Sequence, residues 1–243
     1  MTGVIAILGK GGSGKTTTTA LLGACVATRG ESVILIDLDS TPTLTAWLAP
    51  ALDDAAVTVA DVLRHQASID DAILTLRDHL RLLPGAPGLA ALEGTISASA
   101  VHDVVNAARE RAAVVLLDLR GGVASRLAAA AAAAADLVIV PIEAAPAGVR
   151  SLKLTRQLAD ELGRPIAGVL PTRYNSRTVV SRQLLAALDA AGFPVWEPIR
   201  QEVTVAEVPG SGEFLDTYAP KSRALTDYAA AADRLLAVLK EMS

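Results

Sequence analysis

The stretch GKGGSGKT, residues 9–16, constrains this chain more than any other. The apolar residues 3–8 lead into it and a helix-like run, 15–29, leads out, so its glycines sit between a strand and a helix. Gly9, Gly14, Lys15 and Thr16 fit G-x-x-x-x-G-K-[ST] in the setting that gives the pattern its meaning, a phosphate-binding loop. Glycine permits the dihedrals that turn successive backbone N–H groups inward, and it leaves room for phosphate oxygens. The helix adds its positive end, Lys15 is placed for the β and γ phosphates, and the Thr16 hydroxyl suits Mg2+. Lys10, Gly11, Gly12, Ser13, Gly14, Lys15, Thr16 and Thr17 are therefore the candidate nucleotide-binding loop.

The rest of the chain keeps the same rhythm. Short apolar runs at 3–8, 32–37, 80–84, 113–118, 137–141 and 166–171 read as buried strands, and between them lie segments such as 101–111, 148–162 and 179–191 with apolar residues at helical spacing. This alternation predicts an α/β fold of the P-loop NTPase architecture. It implies a mostly parallel twisted sheet with helices on both faces, in a single domain over 1–243. Composition agrees: 51% of residues are apolar but only 3% aromatic, which suits a core of Ala, Leu and Val between layers. The eight alanines at 128–135 run into a strand candidate and predict a packed helix, while 48–58 and 84–94 read as surface loops.

Several classes are disfavoured. The single cysteine, Cys25, leaves no disulfide or cysteine-ligated cluster within one chain and reads as a small buried apolar residue. The opening MTGVIAILGKGG lacks the features of a secretory signal, and no apolar run nears the ~20 residues that span a bilayer, so a cytoplasmic location is expected. The net charge of −4 argues against blanket attraction to nucleic acid. Charge is uneven, however: residues 1–144 carry 10 Lys/Arg against 15 Asp/Glu, whereas 145–182 carries 7 against 2, a candidate binding face.

Two strands end in acids. VILIDLD places Asp37 and Asp39 two residues apart, on one side of the strand, and VVLLDLR ends on Asp118. Open α/β sheets bind ligands at such strand ends, which makes the three acids candidate ligand contacts.

Lys10 is surplus to a phosphate loop that Lys15 already serves. KGGSGKTTTT resembles the deviant Walker A box, KGGxGKT, of the ParA/MinD family of ATPases. The resemblance implies that Lys10 crosses a dimer interface to the phosphates of the partner's ATP, so that two nucleotides are sandwiched between two subunits. DLDSTP resembles the family's DLDPQGN box, which implies that Asp39 orients the attacking water and Asp37 supports the magnesium shell, so that Thr16, Asp37, Asp39 and Asp118 form the expected metal set. Ser40, Thr41 and Pro42 depart from that box. Lys10, Lys15 and Asp39 are then the expected catalytic set, with ATP and Mg2+ as cofactors. Asp118 matches the Walker B acid, but Arg120, Gly121 and Gly122 stand where the family has a proline two residues on. The glycines would let that segment follow the γ phosphate; Arg120 has no assigned role.

Residues 169–185 and 199–228 resemble the ParA segments that wrap the adenine, implying base contacts from Thr172, Arg173, Glu207, Val208 and Pro209. Arg150, Lys153 and Arg156 recur every three residues, and Arg177, Arg182, Arg200, Lys221 and Arg223 follow, a set suited to nonspecific DNA phosphate contacts. The expectation is a nucleoid-associated partition ATPase that forms an ATP homodimer, binds nonspecific DNA, is stimulated by a ParB-like adaptor and does not bind membrane. Only Met1 and Thr2 precede the first strand, so a form without an N-terminal helix-turn-helix is expected. The alternatives are a MinD-like membrane-associated positioning ATPase, whose basic amphipathic tail SRALTDYAAAADRLLAVLKEMS does not match, and a ParA-like protein positioning carboxysomes or chemoreceptors.

Overall fold

The computed structural model describes residues 2–120, 125–145 and 148–242, without the side chains of Val149, Arg150, Ser151, Leu154 and Leu158. The chain begins β1 (Gly3–Ile7), α1 (Lys15–Ala27), β2 (Val33–Leu38), α2 (Thr43–Leu48), α3 (Val59–Leu63) and α4 (Ile69–Ala72). A hairpin of β3 (Leu74–Arg77) and β4 (Leu80–Leu83) follows, then α5 (Leu89–Leu92), α6 (Ala98–Arg109), β5 (Val114–Leu119) and α7 (Arg126–Ala134). The chain continues with β6 (Leu137–Glu143), α8 (Gly148–Glu161), β7 (Ile166–Thr172) and α9 (Val179–Ala190). It closes with α10 (Val203–Glu207), a 3-10 turn, α11 (Leu215–Tyr218) and α12 (Ala224–Glu241).

The seven strands form one sheet in the order β3-β4-β2-β5-β1-β6-β7, parallel except for the β3–β4 hairpin at one edge. Period-two alternation divides each buried strand between two cores. Val4, Ala6, Ile34, Ile36, Val115 and Leu117 face α3 to α9, and Ile5, Ile7, Val33, Leu35, Val114 and Leu116 face α1, α2 and α12. Both faces are covered, which is why these strands read as unbroken apolar runs. The alanine tract forms α7, with Ala131 and Ala132 wholly buried, and small side chains there let the helix lie close on the sheet.

Two expectations change. The strand β3 (LTLR) gave no apolar run: it is a short edge strand, half-exposed along its length, that forms by pairing with β4 across a turn in which His79 takes φ 60°. The predicted loop 84–94 contains α5, whose Leu89 is fully buried, so it closes the core rather than lying on the surface. Because the parallel strands point one way, the loops after β1, β2, β5 and β7 gather at one edge of the sheet.

Candidate functional site

The phosphate loop follows β1 at the centre of the sheet. Gly9, Gly12 and Gly14 have φ of 157°, 81° and 91°. At Gly12 and Gly14 this is the left-handed region that a side chain makes costly. Ser13 N–H donates to the Lys10 carbonyl at 3.2 Å, closing the turn, and α1 starts at Lys15. The Lys15 ammonium folds back over the loop, 3.3 Å from the Lys10 carbonyl oxygen, and is buried. Burial lowers its pKa, while the charges of Asp118 and Asp39 pull it back up. Lys15 therefore stands inside the loop, in the field of two acids. Lys10 is its opposite: exposed, and its ammonium makes no hydrogen bond or ion pair with the described residues.

Asp37 and Asp118 are register partners on β2 and β5, both wholly buried or nearly so. Their environments differ. Asp37 Oδ2 accepts from the Thr45 N–H at 2.9 Å and the Thr45 hydroxyl at 2.7 Å, and Oδ1 accepts from the Asp39 N–H at 3.2 Å. The Thr45 hydroxyl in turn accepts from the Gly85 N–H at 2.8 Å, and a Cβ at Gly85 would lie 2.8 Å from the Asp37 carbonyl oxygen. Asp37 is thus a strut joining β2, α2 and the loop after β4, its two carboxylate oxygens taking three hydrogen bonds. Burial pushes its pKa up to about 6 against those hydrogen bonds.

Asp118 has the free oxygen. Its Oδ1 lies 3.5 Å from the Thr19 hydroxyl, and its Oδ2 is buried with no hydrogen-bond partner among the described residues. Burial, then the charge of Asp37, push its pKa up to about 8, with the Thr16 hydroxyl and Lys15 opposing. An unpartnered buried carboxylate oxygen beside a threonine hydroxyl at a helix start is a donor set that fits Mg2+. No group of three His, Cys, Asp or Glu side chains forms a metal cage among the described residues. An ion here would take its remaining ligands from phosphate and water. Asp39 is half-buried at the mouth, its Oδ1 accepting from the Thr41 N–H at 2.9 Å, a turn that holds the carboxylate beside Lys15. Arg120 is exposed; Gly121 and Gly122 lie outside the described residues.

Beside the loop lies a cavity of 390 Å3 lined by Gly14, Thr17, Thr172, Arg173, Ile199, Arg200, Gln201, Glu202, Val203, Val205, Ala206, Pro209 and Tyr228. Its position next to the helix start and its largely apolar walls suit a nucleobase and ribose. Thr172, Arg173 and Pro209 are in this wall as expected. Val208 is not: it is 0% exposed, turned into the core, and Glu207 points outward, where its carboxylate accepts from the Tyr218 hydroxyl at 3.3 Å. Both are corrected as base contacts. Ile199, Gln201, Val205 and Tyr228 also line it, all from the 199–228 segment, and Tyr228 reaches the wall because α12 packs against α1.

The basic residues divide. Lys153, Arg177, Arg182 and Lys221 are exposed, and Arg223 is 76% exposed beside Glu202 at 3.6 Å. Arg156 ion-pairs with Asp160 at 3.8 Å and lies over the Phe193 ring at 5.0 Å. Arg200 is corrected as a DNA contact: Asp227 takes its guanidinium in a bidentate pair at 2.7 and 2.6 Å, which spends its charge on tying the segment between α9 and α10 to α12. The Arg150 side chain lies outside the described residues.

Comparisons with known proteins agree with this geometry. A family model described as the CobQ/CobB/MinD/ParA nucleotide binding domain matches residues 4–215. The chromosome-partitioning ATPase Soj of Thermus thermophilus is 31% identical over 242 residues, covering 96% of this chain and 94% of its own. The maintenance of carboxysome distribution protein A of Synechococcus elongatus is 30% identical, over 76% of this chain and 80% of that protein. Among solved structures, the septum site-determining protein MinD of Pyrococcus horikoshii, complexed with Mg-ADP, superposes with a TM-score of 0.84 at 26% identity, covering 98% and 99% of the two chains. Strand order, phosphate loop and sequence match converge, and the chain belongs to the ParA/MinD family of nucleotide-binding ATPases.

Proposed function

We propose that this chain is a Mg2+-dependent partition ATPase, a single domain over 1–243. Two copies close around two ATP molecules, hold nonspecific DNA as the dimer and release it when a ParB-like adaptor stimulates hydrolysis. The observation that carries the proposal is the division of labour between two lysines. Lys15 is buried inside the loop and serves its own phosphates, whereas Lys10 stands exposed with no partner among the described residues, available to a neighbour's nucleotide. A cation supplied in trans makes dimerisation depend on the phosphate charge it meets.

Within one subunit, the loop N–H groups and Lys15 hold the phosphates, and the adjoining cavity holds the base and ribose. Thr16 and Asp118 would hold Mg2+, which when bound offsets charge on the transferring phosphoryl group. Asp39, fixed at the mouth by the Thr41 N–H, accepts a hydrogen bond from the attacking water and sets its direction. The exposed Lys153, Arg177, Arg182, Lys221 and Arg223 supply phosphate contacts whose number doubles in the dimer.

The decisive experiment is sedimentation with ATP and magnesium in the presence of plasmid DNA or anionic vesicles. ATP-dependent pelleting with DNA is expected, lost in Lys10→Ala although that variant still binds ADP. Pelleting with vesicles and not DNA overturns the proposal in favour of a membrane-associated ATPase. The likeness to the carboxysome distribution protein supports a second possibility for the cargo: a protein assembly moved over DNA by the same cycle.

A further inference from the structure

We propose that Thr172 is a positioning residue for the phosphate loop: its hydroxyl, brought in from β7, sets the direction in which the Gly14 N–H points. This rests on the nucleotide-binding assignment of the loop, and it gives Thr172 a different task from contacting the base.

Thr172 is the last residue of β7 and is buried, and its hydroxyl donates to the Ser13 carbonyl at 2.9 Å, across 159 residues of sequence. A trans peptide is planar, so its N–H points opposite to its C=O. Drawing the Ser13 carbonyl toward β7 therefore turns the Gly14 N–H away from β7. Among the described residues no local side chain fixes this plane. Gly14 is a left-handed N-cap with φ 91° and ψ 25°, no side chain caps the start of α1, and glycine adopts other dihedrals at little cost. The Ser13 hydroxyl has no hydrogen-bond partner among the described residues, so the serine does not anchor itself.

Thr172 is itself held. It is in register with Glu143 of β6, and its carbonyl accepts from the Ala144 N–H at 3.2 Å. Its side chain also closes over Gly14, where an added Cβ would lie 3.6 Å from the Thr172 methyl group. One hydroxyl has one proton to give, and here the Ser13 carbonyl takes it, so Thr172 cannot also donate to a base. The sheet thus sets one N–H of the cradle before any ligand arrives, which lowers the ordering cost of binding.

The test uses the full chain and Mg-ADP, whose binding requires neither dimer nor DNA. Thr172→Val keeps the shape and removes the donor; Thr172→Ser keeps the donor and removes the methyl group. We expect Val to raise the ADP Kd about tenfold, in line with one lost hydrogen bond of the oriented cradle, and Ser to stay within about twofold of wild type. With 15N-glycine labelling, the ADP-induced shift of the Gly14 amide resonance should shrink in Val and persist in Ser, a change that loss of stability alone does not produce. Should Val not fold, Thr172→Ala reads the same hydrogen bond with less bulk. Wild-type affinity in Val or Ala, or Ser as weak as Val, overturns the proposal. Wild-type protein that fails to bind ADP overturns the loop assignment itself, before any variant is made.

Discussion

Asp37 and Asp118 are the same residue type on adjacent strands, and the hydrogen bonds around them differ. Asp37 accepts three hydrogen bonds, from the Thr45 N–H and hydroxyl and the Asp39 N–H, whereas Asp118 keeps a buried oxygen without a partner among the described residues. Thr45→Val should therefore damage the corner rather than the chemistry. It leaves the Gly85 N–H unpaired and removes a donor from a buried carboxylate, costing about 1–3 kcal/mol in urea unfolding; an unchanged midpoint would contradict the strut role. Cys25 offers a test of burial. Desolvation pushes its thiol up to about 11, above the ordinary range, and the thiolate is the reactive form. At pH 8 its alkylation in folded protein should run at least ~100-fold slower than that of an exposed cysteine, and unfolding in urea should abolish the difference.

At the scale of elements, α12 joins the core to the nucleotide cavity. Ala224, Tyr228, Ala231, Ala232, Leu235 and Leu239 form one buried face packed on α1, and Tyr228 carries that face to the wall of the nucleotide cavity. The helix is therefore part of the core and of the site at once. Leu235→Ala, at a fully buried position, should cost about 2–5 kcal/mol, with thermal unfolding recovering part of the loss when ADP is added because ligand binds only the folded state. Elements with a strong local pattern were legible beforehand: six apolar runs, the long helices and the strand–loop–helix around Lys15. The β3 strand and α5 were not, because each is four residues long and owes its form to a neighbour.

For the whole molecule, the proposed cycle separates assembly from hydrolysis. Asp39→Ala removes the water-orienting carboxylate and leaves both lysines, so with ATP and magnesium it should elute as a dimer on size-exclusion chromatography and turn over ATP at least tenfold more slowly; a monomer under those conditions counts against the role of Asp39. What the amino-acid order determined by itself is local: a phosphate loop where glycines and Lys15 follow a strand, acids at the ends of two strands, and the alternating pattern that demands a covered parallel sheet. Short-range periodicity and backbone freedom suffice for these, since each depends on residues a few positions apart. Tertiary structure alone decided which acid stays open, that Val208 points inward, that Arg200 is spent on Asp227, and that Thr172 steers a loop far away in sequence. Those outcomes depend on which donors and acceptors the packing of distant elements brings within about 3 Å, and no pattern along the chain encodes that distance.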